Sequence, residues 1–216
     1  LSDGQQHTAA DLTPGNYSVA ETLPAGWAQT SATCADGSAP GAIALGAGEP
    51  VTCAFVNARL GLALTKTPTP NQVTTPGGDV SFAVAVTNSG QAAVTLTSLS
   101  DSVYGDVANA NNAALKSTTC ALPQTLPPAG DYSCAFTATV SGAAGSVHRN
   151  TLTATAGGPG NTSVSAAAEA TVNVVAAPTG RIIVAKVTNP ANTPGSFVFS
   201  ASYDADGFAL SHGGSN

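Results

Sequence analysis

Val80-Ser-Phe-Ala-Val-Ala-Val86 and Tyr132-Ser-Cys-Ala-Phe-Thr-Ala-Thr-Val140 decide the fold class, because in both the larger apolar side chains recur at every second position. A period of two buries one face of a β-strand and leaves the other outward. Working outward, shorter segments repeat the pattern: Tyr17–Glu21, Val51–Phe55 and Thr151–Thr155, separated by clusters of Gly, Pro, Asn and Asp. No stretch sustains a period of 3.6. The pattern predicts an all-β protein of two Ig-like or prealbumin-like sandwiches in tandem, with about seven strands between residues 61 and 177.

Composition narrows the function. Only 8% of the 216 residues are charged, and 6 Lys+Arg against 12 Asp+Glu give a net charge of −6. A nucleic-acid binder needs a basic stripe to displace counterions, so that class is excluded. Ala supplies 41 residues and aromatics 11, so the core must be built from Val, Leu, Ile and a few Phe. The longest apolar run, Phe82–Val86, is far short of the roughly 18 residues of a membrane span. Nothing at the start reads as a signal peptide, and a start at Leu1 without any Met reads as a mature piece of something longer.

Cys34 and Cys53 are close in sequence, as are Cys120 and Cys134, and each pair leads into an aromatic strand. Two local disulfides and an oxidising compartment follow. A zinc site is disfavoured: no Cys-x-x-Cys occurs, and His7, His148 and His212 lie far from the cysteines. No cofactor is expected.

Three sections emerge: residues 1–60, ending in Cys53-Ala-Phe-Val-Asn57; residues 61–177; and residues 178–216. The second and third open alike. Gly61-Leu-Ala-Leu-Thr-Lys66-Thr-Pro and Gly180-Arg-Ile-Ile-Val-Ala-Lys186-Val-Thr-Asn-Pro190 each place a lone Lys after an apolar strand. An exposed lysine guarding an edge strand against aggregation explains such a pattern by itself.

Leu12-Thr-Pro-Gly-Asn-Tyr-Ser-Val-Ala-Glu21, Pro24-Ala-Gly-Trp27, Thr33-Cys-Ala-Asp-Gly37 and Ala47-Gly-Glu-Pro-Val-Thr-Cys-Ala-Phe-Val-Asn57 resemble the second half of a prealbumin-like, CnaB-type (SpaA-like) domain of Gram-positive pilins and secreted repeat proteins. The first half of such a domain resembles Gly180–Lys186 followed by Phe197-Val-Phe199, at the other end of the chain. The resemblance therefore implies a domain split across the chain ends. Pro76-Gly-Gly-Asp-Val-Ser-Phe82, Val86-Thr-Asn-Ser-Gly90, Leu99-Ser-Asp-Ser-Val-Tyr-Gly-Asp-Val107, Leu126-Pro-Pro-Ala-Gly130 and Asn150-Thr-Leu-Thr-Ala154 resemble the domain-of-unknown-function-eleven repeats of surface proteins. Both resemblances imply extracellular stalk or fibre modules.

The CnaB-type resemblance also implies an intramolecular isopeptide bond. That chemistry needs a lysine made nucleophilic by burial, an asparagine amide as electrophile, and an acid between them to carry protons. The matching positions are Lys186, Asn57 and Glu21; an ordinary Glu21–Lys186 ion pair is the competing reading. Since Lys186 and Asn57 belong to opposite ends, their bond would join adjacent units. A second triad, Lys66, Asp101 and Asn150, rests on position alone, and Asp101 reads more simply as a turn residue bonding its own backbone. Ile182, Val184, Phe197 and Phe199 are expected to complete the N-terminal domain of a neighbouring copy by strand addition.

Weaker signals remain. Asp204-Ala-Asp206-Gly207 lacks the downstream acid of a calcium loop and reads as a hairpin turn. Asn16-Tyr-Ser18 and Asn161-Thr-Ser163 match the glycosylation sequon, and Trp27 reads as a cover over one sandwich end. No constellation for turnover catalysis stands out. The expected function is a structural repeat of an extracellular filament, pilus-like fibre or surface stalk, with copies of itself as partners. The alternative is an adhesin segment binding a glycan or protein, which the few aromatics support poorly.

Overall fold

A computed structural model describes residues 2–189 and 195–211. Pro190, which closes the second lysine motif, and His212 lie outside them. The contacts divide the chain into two units, residues 1–176 and residues 177–216, each described by itself.

In the first unit, β1 (Gly15–Tyr17), β2 (Trp27–Cys34), β3 (Ile43–Leu45) and β4 (Cys53–Arg59) make two separate two-stranded ladders, β1 with β3 and β2 with β4. The strand expected over Tyr17–Glu21 is shorter than its alternation promises. After Tyr17 a lone Val19 N–H to Pro40 carbonyl bond, 2.8 Å long, replaces a ladder. Cys34 stands directly opposite Cys53 at the end of the β2–β4 ladder, and the two are disulfide-bonded.

The rest of this unit is a sandwich built from ten strands, several of them two or three residues long. β5 (Leu62–Thr69), β6 (Gln72–Thr74), β7 (Gly77–Asn88), β8 (Val94–Asp101) and β9 (Gly105–Asp106) come first. Then follow β10 (Ser117–Thr118), β11 (Gln124–Leu126), β12 (Asp131–Ser141), β13 (Val147–Gly157) and β14 (Ser163–Val175). One sheet runs β10-β12-β7-β5, the other β11-β8-β13-β14-β6 with β9 beside β8. All pairings are antiparallel except β14 with β6. The shortest strands carry too little alternation to stand out, hence the count above the expected seven.

Period-two burial holds along the long strands. Val80, Phe82, Val84 and Val86 of β7, and Phe136, Ala138 and Val140 of β12, point inward from one sheet. Leu152, Ala154 and Ala156 of β13 with Val172 and Val174 of β14 point inward from the other. Phe82 and Phe136 pair across β7 and β12 and stack at 5.0 Å between centroids. Where β7 begins, Gly77 holds φ at +144°, and a Cβ there would meet the Val140 carbonyl oxygen at 2.2 Å. Only glycine fits that approach.

In the second unit, β15 (Phe197–Ala201) and β16 (Asp204–Leu210) form a hairpin with Phe199 stacked on Phe208 at 5.3 Å. Its turn falls on Ser202 and Tyr203, so Asp204–Gly207 lies on β16 and is not the turn itself. The apolar strand expected over Arg181–Lys186 forms no ladder among the described residues: 177–188 carry no strand. An extended segment becomes a strand only when another edge takes up its N–H and C=O groups.

Candidate functional site

Three inward positions converge inside the sandwich. Lys66 lies on β5 in phase with Leu62 and Leu64, opposite Val84 of β7, where an apolar residue would ordinarily sit. Asn150 occupies the same phase of β13 as Leu152, Ala154 and Ala156. Asp101 ends β8 and pairs in register with Leu152, one inward position along from Asn150. Thus one sheet supplies the amine and the other supplies the acid and the amide.

Asp101 reaches inward because of a bulge. Val94 and Leu96 are buried at even positions, Leu99 and Asp101 at odd ones. The register slips where Ala156 faces Leu96 and Thr155 faces Ser98, leaving Thr97 extra. An extra residue shifts the strand's phase by one and turns the following side chains over. Without it Asp101 would face outward.

Lys66 Nζ donates to Asp101 Oδ2 at 2.5 Å and to the Asn150 carbonyl oxygen at 3.4 Å, and both side chains of the ion pair are fully buried. Asn150 Nδ2 donates to Asp101 Oδ1 and Oδ2 at 3.2 and 3.1 Å. One carboxylate oxygen therefore touches both the amine and the amide nitrogen. Oδ1 also accepts from the Val103 and Tyr104 backbone N–H groups at 2.9 and 3.1 Å. The turn role read from the sequence is present, alongside a second role in the core. Asn150 Oδ1 is buried with no hydrogen-bond partner.

Aromatic rings enclose the group. The amine lies 4.7 Å from the Phe82 centroid and 5.5 Å from that of Phe136. Tyr104 packs on both Phe rings at 5.9 and 6.0 Å, and its hydroxyl meets His148 Nε2 at 3.2 Å. Burial pulls the Lys66 pKa below its usual value, while the bond and charge of Asp101 oppose the shift. Burial, then the Asp101 charge, pushes Tyr104 up to about 12. His148 is lowered by burial and by the Lys66 cation, with Asp101 acting the other way. The sequence carries a signal for this enclosure: Phe82, Phe136 and Lys66 each sit on the inward phase of strands that pair through β7.

The other candidate triad is brought together in part. Asn57 of β4 donates from Nδ2 to Glu21 Oε1 and Oε2 at 2.8 and 2.9 Å, and its own Oδ1 is shielded without a partner. Glu21 itself is exposed. Lys186 Nζ finds its partners within its own unit, the Val187 carbonyl at 2.6 Å and the Phe197 ring at 4.1 Å. Ile182 and Val184 line a shallow groove with Tyr203, Asp204 and Phe208, while Phe197 and Phe199 lie on β15.

Cys120 and Cys134 form the second disulfide. Asn16 lies on β1 and Asn161 in a 3-10 turn over Pro159–Asn161. Trp27 opens β2 with 39% of its surface exposed. Among the described residues no cluster of three or more His, Cys, Asp or Glu could hold a metal ion, and no helix is long and apolar enough to cross a membrane.

Residues 2–59 match the family of prealbumin-like fold domains. No curated protein matches the chain at a significant level. The family match covers the two open ladders together with Glu21 and Asn57.

Proposed function

We propose that this chain is a structural module of an extracellular fibre or surface stalk, joined to its neighbours when residues 178–189 of one unit add to the open ladders of residues 2–59 in the next. The observation that carries this reading is a pair of complementary deficits. The region matched as a prealbumin-like domain holds only two-stranded ladders, with Val19 and Val56 half exposed, and its Asn57 keeps a shielded carbonyl without a partner. Residues 178–189 carry a lysine and exposed Ile182, Ile183 and Val187 outside any strand.

Strand addition would satisfy backbone groups on both sides. It is a head-to-tail contact that does not close, so it builds a line rather than a ring. Separate copies and consecutive repeats of a longer polypeptide give the same contact. The two disulfides support an oxidising, extracellular setting. Once seated, the Lys186 amine could replace the Asn57 amide nitrogen, releasing ammonia, with Glu21 carrying the proton.

Light scattering at rising concentration tests the reading. The chain should form linear oligomers, and Ile182→Asp with Val184→Asp should return it to monomer. A monomer at every concentration, or oligomers untouched by deletion of residues 178–216, overturns it.

A further inference from the structure

A lysine, an acid and an amide sealed in an apolar core call for an explanation that packing alone does not give. A purely structural core would place an apolar side chain at position 66, in phase with Leu62 and Leu64. Burying an ion pair gains little over such a residue and often loses. The arrangement also leaves Asn150 Oδ1 without a partner in a place closed to water, a cost that packing does not recover.

We propose that Lys66 and Asn150 are joined by an amide bond that the sandwich forms by itself, with Asp101 moving the protons. Asp101 Oδ2, which touches both nitrogens, takes one proton from the Lys66 ammonium, and the buried pair becomes neutral amine and neutral acid. The amine lone pair attacks Asn150 Cγ, and the acid's O–H stabilises the oxygen where negative charge gathers. The amine's next proton passes through Asp101 to Nδ2, the Cγ–Nδ2 bond breaks, and ammonia leaves. Lys66 keeps one N–H, ammonia carries three hydrogens, and Asp101 ends protonated and neutral, so atoms and charge balance without an added reagent. Phe82, Phe136 and Tyr104 exclude the water that would compete for the amide carbon. The product also removes both buried charges.

The bond would close a loop of sequence separation 84 and tie β5 in one sheet to β13 in the other. Load entering through β5 could not peel that strand away. This proposal does not depend on how units meet, because the link lies within one chain; a Lys186–Asn57 link between copies would raise the mass by whole chains.

Intact mass of the purified, reduced and denatured protein, followed by fragmentation of its peptides, tests it. The expected mass is low by one ammonia, with one branched peptide joining Lys66 to Asn150. Asp101→Asn, which keeps the shape and a polar contact, should retain the full mass, as should Lys66→Arg. Full mass in the wild-type chain after prolonged incubation overturns the proposal. So does ammonia loss without the branched peptide, or equal loss in a folded Asp101→Asn variant. The wild-type result decides even if both variants fail to fold.

Discussion

Glu21 with Asn57 and Asp101 with Asn150 are the same contact in two settings. In each, one carboxamide nitrogen donates to both oxygens of one carboxylate, and in each the carboxamide oxygen has no partner. Around Asp101 and Asn150 two sheets close, and a lysine enters from the facing sheet. Around Glu21 and Asn57 there are only open ladders, and the carboxylate is exposed. Chemistry at such a pair depends less on the pair than on what encloses it. A solvated amine stays protonated and unreactive, whereas a buried one is pushed toward the neutral nucleophile.

The sharpest break of this contrast is Lys66→Met. It removes the link and, before the link forms, the cation that pairs with buried Asp101, a loss that costs about 3–5 kcal/mol where one partner of a buried pair is removed. Chemical denaturation should show the drop, together with loss of the Lys66–Asn150 link. Lys186→Met, whose amine meets a carbonyl and a ring in its own unit, should leave the unfolding of residues 1–176 in place. If the two variants behave alike, the enclosure does not matter.

The disulfides divide along the same line. Each closes a short loop, worth about 3 kcal/mol of unfolded-state entropy on the loop-closure account. Cys120–Cys134 reinforces a sandwich already held by two sheets, so removing it should lower the midpoint and leave a cooperative transition. Cys34–Cys53 clamps the end of a lone ladder, since Cys34 is among the few buried residues there. Cys34→Ser with Cys53→Ser should therefore open residues 2–59 to limited proteolysis while the sandwich stays resistant. Equal resistance of both regions would show that the ladders hold without their clamp.

Much of this was legible in the sequence, and the part that was not has a physical reason. Alternation in Val80–Val86 and Tyr132–Val140 marks β7 and β12, and the cysteine spacing marks both disulfides. Lys66 continues the inward phase of Leu62 and Leu64, which is a readable sign of burial. Asp101 hides because the Thr97 bulge reverses the phase of β8: the step from Leu96 to Leu99 across two polar residues marks the slip, but nothing in it says that the reversed phase runs on to bury an acid. Family resemblance therefore favoured Lys186, Glu21 and Asn57, while the core assembled around Lys66, Asp101 and Asn150. Strand pairing across two sheets is a long-range property. Motif order along the chain ranks candidates without it.

Glu21→Gln sharpens the comparison at its weaker end. It keeps one acceptor for Asn57 Nδ2 at an exposed position, so the expected cost to residues 1–176 is about 1 kcal/mol or less. Asp101→Asn, the same change in the enclosed pair, leaves Lys66 buried without its counter-ion and should cost several times more. Thermal melts of the two variants side by side measure the ratio. A ratio near one would mean that the enclosed site is better solvated than its burial indicates.

The smallest expected effect is a pH dependence near neutrality that the enclosed site gives through His148. His148, half-buried beside Tyr104, is lowered from 6.5 by burial first and by the Lys66 cation second, with Asp101 pulling the other way. A histidine with a depressed native pKa binds fewer protons folded than unfolded, so acid favours unfolding. Its contribution is whole above about pH 6.5, is lost as the pH falls from there toward the lowered native value, and changes no further below it. Stability should thus sag slightly just below pH 6.5, and His148→Gln should remove the sag. Because the Lys66 charge is one of its causes, the native His148 titration also reports on the site. In Asp101→Asn the cation stays without its counter-ion, and the His148 midpoint followed by NMR should fall below that of the wild-type chain. A midpoint that does not move would mean that Lys66 carries no charge that His148 can feel.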